Sequence, residues 1–116
     1  MAEKGQLIQQ SIQFSIKLID YYKWLCHEKR EYVLSKQILK SGTSIGANIH
    51  EANFASSKAD FICKMQISLK EASETEYWFR LLEATDYLPA EHSHLKNRCE
   101  SLKRMLIKSL NTAKTE

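Results

Sequence analysis

Residues 37–52, QILKSGTSIGANIHEA, set Ser, Gly, Thr, Ala and Asn among Ile38, Ile45 and Ile49, whose spacing marks one face of a helix. Glycine, serine, threonine and asparagine are poor helix formers in a helix interior. A helix that keeps them gives up propensity, and what small residues offer in return is close approach of a neighbouring backbone. The segment therefore calls for a helix packed hard against it, and an all-α fold is the simplest way to supply one.

The rest of the chain agrees. At 116 residues it has the length of one domain, sufficient for one hydrophobic core. Only three glycines and a single proline, Pro89, interrupt it, which favours long helices over a sheet with many turns. Apolar periodicity predicts helices over about 6–28, 32–54, 58–86 and 90–112. In the first, Leu7, Ile8, Ile12, Phe14, Leu18, Ile19, Tyr21, Tyr22, Leu25 and Cys26 fall on one side. That arc covers about half the circumference, wider than the roughly 100° stripe one packing surface needs, so a surface beyond the protomer core is expected to cover part of it.

The second helix carries Leu34, Ile38, Ser41, Ile45, Asn48, Ile49 and Ala52 in one stripe. Ser57 with Asp60 makes an imperfect capping box for the third, whose seam runs Phe61, Met65, Ser68, Ala72, Thr75, Phe79 and Leu82. Ile67, Trp78 and Leu81 lie off that seam, beside Glu71 and Glu74. Pro89 suits the first turn of the fourth helix, whose seam is Leu95, Cys99, Leu102, Leu106 and Leu110. Short connections force antiparallel neighbours, so the expected architecture is an up-down-up-down antiparallel four-helix bundle in one domain, 1–116.

No run of about 18 apolar residues predicts a membrane span, and the N-terminal MAEKGQLIQQ lacks the apolar core of a signal peptide, so a cytoplasmic location is expected. Cys26, Cys63 and Cys99 are far apart and outside any CxxC, and read as reduced core residues. Chemistry is hard to place. Glu91 and His94 have the Glu-x-x-His spacing of one helix in a di-metal bundle, but the second such pair is missing. His92 and His94 are two apart and cannot share a helical face, and His50 beside Glu51 lacks a nucleophile. Gly42 and Gly46 come without the lysine a phosphate loop requires. No catalytic residue, metal or cofactor is expected, and the chain reads as a non-enzyme.

Two polar features remain. Asn48 falls in the middle of an apolar stripe with Glu51 close behind, and a buried amide needs partners. One reading has Asn48 and Glu51 buried and bonded to Ser68, Thr75 or Lys64 on the third helix, fixing register; the other makes them a polar binding patch beside backbone exposed by Ser41, Gly42, Ser44 and Gly46. The second feature is charge. Net charge is only +3, yet Lys96, Arg98, Lys103, Arg104 and Lys108 crowd the fourth helix while Glu71, Glu74, Glu76, Glu83, Asp86 and Glu91 crowd the stretch 71–91 that runs through the third helix to the start of the fourth. Either the two helices neutralise one another laterally, or the basic helix faces outward and attracts phosphates without regard to sequence.

QILKSGTSIGANIHEA, SSKADF at 56–61 and KEASETEYWFRLL at 70–82 together resemble the small bacterial four-helix bundle proteins called 23S rRNA-intervening sequence proteins, which are similar in turn to the accessory variability protein of diversity-generating retroelements. Lys40 keeps a position often basic there, and His50 stands where a small residue is more usual. The resemblance implies a homopentamer and, from the retroelement relatives, contact with RNA or DNA and with a reverse transcriptase through a basic surface. It also makes Ile67, Trp78 and Leu81 candidates for the subunit interface. The expected function is a non-enzymatic oligomeric scaffold for nucleic acid or a nucleic-acid enzyme; the alternative is a protein-interaction module without nucleic-acid affinity, and a metal-binding bundle comes last.

Overall fold

The structure, a computed structural model, describes residues 2–116, with side chains from Gly5 onward. The signal-peptide expectation therefore lies partly outside the described residues. Four helices make up the fold: α1 (Ala2–His27), α2 (Leu34–Ala52), α3 (Lys58–Ala84) and α4 (His94–Thr115). Each packs on its neighbour in the chain, and α4 closes back on α1. The result is an antiparallel four-helix bundle, 47 × 21 × 20 Å. Its core repeats the expected seams: Leu7, Phe14, Leu18 and Leu25 from α1, Ile38, Ile45 and Ile49 from α2, Met65, Ala72, Phe79 and Leu82 from α3, and Leu95 through Leu110 from α4.

The small residues of α2 do two different jobs. A Cβ added to Gly42 would collide with Leu18 Cδ2 and come within 3.5 Å of Phe14, and one added to Gly46 would lie 3.2 Å from Ser11 Oγ. These glycines set the α1–α2 distance. On the other flank the Thr75 hydroxyl shares its proton between Ser41 Oγ at 2.9 Å and its own helix's Glu71 carbonyl at 2.8 Å, while Ser68 Oγ donates to the Ile45 carbonyl at 2.8 Å. So short hydroxyls fill the α2–α3 seam and satisfy one another there. Ala47, in the same small-residue stretch, is exposed.

α1 begins at Ala2, ahead of the expected start near residue 6, and the starts of α2 and α4 come later than the periodicity, each for a local reason. α2 begins at Leu34 because the Glu31 carboxylate folds over its first turn: Oε1 accepts from the amides of Val33 (3.1 Å) and Leu34 (2.9 Å), Oε2 from that of Ser35 (2.7 Å). The Ser35 hydroxyl returns a bond to the Glu31 carbonyl at 2.7 Å. One side chain thus satisfies three amides that the helix leaves without partners and places a negative charge at the positive end of the dipole. Glu31→Ala is expected to destabilise the protein by about 2 kcal/mol, the upper end for loss of an N-terminal cap, measured by denaturant unfolding. In α3 the cap is as expected: Ser57 Oγ accepts from the Asp60 amide at 3.0 Å and Asp60 Oδ2 from the Ser56 amide at 3.2 Å.

α4 starts at His94, four residues later than Pro89 suggested, and runs on to Thr115. Residues 90–93 form turns, with the His92 amide bonded to the Pro89 carbonyl at 3.0 Å. Long-range contacts hold this connection. Tyr21, fully buried on α1, donates its hydroxyl to the Tyr87 carbonyl at 2.7 Å, and the His92 ring lies 5.1 Å from the Tyr21 ring and 5.3 Å from that of Trp24. Burial pushes the Tyr21 hydroxyl well above the usual phenol range, so it stays a proton donor.

Candidate functional site

The basic residues of α4 do not form one stripe. Lys96 Nζ lies 2.7 Å from Glu83 Oε1, and Lys103 Nζ lies 2.8 Å from Glu76 Oε1. These two lysines, seven residues apart, occupy the flank facing α3 and are neutralised inside the protomer, as the lateral reading held. Arg104 and Lys108, four apart and exposed, share the outward face, with the Arg104 guanidinium 3.4 Å from Ser101 Oγ. Arg98 is half-buried, and its position five residues before Lys103 turns it about 140° away, toward the α1 side. Of the five cations, the structure leaves two facing outward together and a third on a different flank.

Asn48 and Glu51 are not a buried pair. Asn48 is half-buried and its Nδ2 donates to the carbonyl of Ser44 on its own helix at 2.8 Å, and Glu51 is exposed. The reason lies in the register of α2: Asn48 stands at the edge of the α3 seam, while Ser41 and Ile45 occupy its centre and take the bonds from Thr75 and Ser68. Neither residue fixes the bundle.

The Glu91–His94 pair is divided between the turn and the first residue of α4, so the two do not share a helical face. No group of three or more His, Cys, Asp or Glu among the described residues is placed to hold a metal ion. A cavity of about 670 Å³ opens at the end of the bundle opposite His92, between Leu7, Ala52, Lys58, Phe61, Met105 and Ala113. The Lys58 ammonium there is taken up by the Glu116 carbonyl at 2.7 Å.

The cysteines separate by environment. Cys63 is exposed, against the expectation of a core position, because it falls on the outer face of α3; Cys26 is half-buried. Cys99 is buried, its Sγ 3.6 Å from the Ala72 carbonyl, and burial first, with Glu76 second, pushes its thiol up to about 12. Since the thiolate is the reactive form, iodoacetamide at pH 8 is expected to label Cys63 readily and Cys99 only at the rate of global unfolding, as read by peptide mass spectrometry.

The most prominent surface is apolar. Ile12, Ile16 and Ile19 on α1 are 47%, 61% and 38% exposed, one row at i, i+4 and i+7. On α3, Ile67 is 40% exposed, and Trp78 and Leu81 are half-buried beside it. Ile16 was not among the apolar residues assigned to the first helix, and its neighbours' register was the available signal. Within the α3 patch, Glu71 is half-buried and carries a carboxyl raised above the usual range, by burial first and by Glu74 second, with Lys40 and Lys70 only partly offsetting them. Trp78 Nε1 is buried and has no acceptor among the described residues.

Comparison with known proteins places the chain. No functionally curated protein matches it. A crystal structure described as a protein with unknown function from the S23 ribosomal protein family of Bacteroides thetaiotaomicron superimposes with a TM-score of 0.91 at 44% identity, covering 94% of this chain and 98% of that one. The 23S rRNA-intervening sequence protein family matches residues 3–108, including α1, α2, α3 and the basic part of α4. The chain belongs to the 23S rRNA-intervening sequence protein family.

Proposed function

We propose that this protein is a non-enzymatic subunit of a homo-oligomeric scaffold, a ring of five by the resemblance set out above, which acts in the cytoplasm and presents repeated cations to nucleic acid. The observation that carries the reading is the exposed row Ile12, Ile16 and Ile19. Apolar patches of this kind on a soluble protein mark interaction surfaces. The second patch, Ile67 with Trp78 and Leu81, lies on α3, a different helix. Contact between two unlike patches is head-to-tail, and such contacts close into a ring where the rotation between neighbours closes and run on as a filament where it does not.

The nucleic-acid part of the reading rests on the outward placement of Arg104 and Lys108 and on Arg98 on a separate flank, while Lys96 and Lys103 face the carboxylates of α3. One protomer offers too little charge for tight phosphate binding, but symmetry multiplies it. A reverse transcriptase remains the candidate protein partner, as for the retroelement proteins that the family resembles.

The test is binding of labelled single-stranded RNA and duplex DNA near 50 mM salt. Arg98→Glu, Arg104→Glu and Lys108→Glu together are expected to abolish binding, and each neutralised cation to lower the slope of log affinity against log salt by about one. Lys96→Gln and Lys103→Gln are expected to change binding far less. No binding by the assembled wild-type protein would leave the protein-interaction scaffold as the function.

A further inference from the structure

The α3 patch is not a plain apolar surface, and its two carboxylates limit what can cover it. Glu74 stands seven residues from both Ile67 and Leu81, two helical turns either way, so it lies between them on one line; Glu71 flanks it on the α2 side. The ion pairs Lys96–Glu83 and Lys103–Glu76 lie on the α4 flank of α3, and among the described residues no ion pair joins Glu71 or Glu74 to a cation. Lys40 and Lys70 act on Glu71 from a distance and leave its carboxyl raised. Covering this patch with an uncharged surface would strand two carboxylates away from water, which is costly unless a cation accompanies the cover.

The row on α1 brings such a cation. Ile12, Ile16 and Ile19 are continued in the same spacing by Lys23, which is exposed. Lys23 stands seven residues beyond Ile16, just as Glu74 stands seven beyond Ile67, so an isoleucine and a charge are offered two turns apart on each side. The other exposed cations of the bundle fit less well. Arg104 and Lys108 on α4 share their outward face with Asn97, Ser101, Asn111 and Thr112, where Ile107 alone is a large exposed apolar neighbour and makes no row, and Lys17 lies one residue off the α1 line. From this complementarity we infer that Lys23 of one copy docks against Glu71 and Glu74 of the next, while the α1 isoleucines cover Ile67, Trp78 and Leu81.

This inference rests on the oligomeric reading and adds to it the contact that selects the partner face. Apolar rows give adhesion, and a charge placed within them fixes register and rejects faces that lack the opposite charge. Lys23 is therefore a specificity residue of assembly.

Sedimentation velocity on the full-length protein tests it, with far-UV circular dichroism confirming the helical fold of each variant. Lys23→Glu is expected to weaken assembly at least tenfold in dissociation constant. Combining it with Glu71→Lys and Glu74→Lys is expected to restore assembly, a recovery that loss of folding cannot imitate. Ile16→Glu serves as the control for the oligomeric reading itself. If Ile16→Glu dissociates the assembly and Lys23→Glu does not, the rings stand and the Lys23 contact is wrong; the α3 patch then belongs to another partner. Failure of the charge-swapped variant to reassemble also overturns it. A wild-type protein that stays monomeric overturns both.

Discussion

Gly42→Val is expected to destabilise the bundle by about 3 kcal/mol, read as a fall in the urea midpoint at fixed protein concentration. The first atom a side chain adds here collides with the end of the Leu18 side chain, which must swing aside within a core where it is fully buried next to Phe14. Overpacking of a close-packed core costs about 1–3 kcal/mol, and two more methyl groups put valine at the upper end. Alanine makes a useful contrast. It suffers the same first collision but recovers about 1 kcal/mol of helix propensity over glycine, so Gly42→Ala should lose about 1 kcal/mol or less. A large gap between the two variants is the mark of steric closeness; equal effects would mean that the glycine is kept for some other reason.

Phe79→Ala is expected to cost about 4 kcal/mol, with an unchanged denaturant slope if the bundle still unfolds in one step. Phe79 is fully buried on α3 and joins two aromatic rings of α1: it meets Phe14 edge-on at 6.5 Å and stacks with Tyr21 at 6.3 Å. Its loss removes packing on both and loosens the seat of Tyr21, whose hydroxyl holds the Tyr87 carbonyl and whose ring supports His92. The α3–α4 connection should therefore lose amide protection along with the core. Hydrogen exchange at residues 87–93 in the variant measures that second effect, and an unchanged exchange rate there would mean that Tyr21 is held in place without Phe79.

The fold was legible because its largest energetic term, burial of apolar faces, leaves a period in the chain. Phe61 through Leu82 and Leu95 through Leu110 could be read directly as seams, and the glycines of α2 as the place of closest approach. Helix ends were less legible, since they depend on single side chains. Glu31 caps α2 from three residues before its first helical residue, outside the usual Ser, Thr, Asp or Asn position, and the 90–93 turn depends on Tyr21 and Trp24, more than sixty residues distant.

The surface was harder still. A count of charges shows that α4 is basic, but only the packed structure shows Lys96 and Lys103 turned onto Glu83 and Glu76 and Arg104 and Lys108 turned outward. The same limit applies to Asn48. Its place in the stripe was legible; its choice of the Ser44 carbonyl over a partner on α3 was not, because a half-buried amide at a seam edge has both options within reach. Conversely, the over-wide apolar arc of the first helix was visible in the sequence, and its uncovered residues Ile12 and Ile19 form, with Ile16, which that arc left out, a row on the protomer surface.

That row is the centre of the functional reading, and it can be tested without any ligand. Sedimentation equilibrium of the wild-type protein at micromolar concentration should give a mass several times the 13.5 kDa of one chain, while Ile16→Glu under the same conditions should give a single chain with unchanged helicity. A wild-type protein that sediments at 13.5 kDa throughout the micromolar range would contradict assembly through these faces and leave the exposed isoleucines without a role.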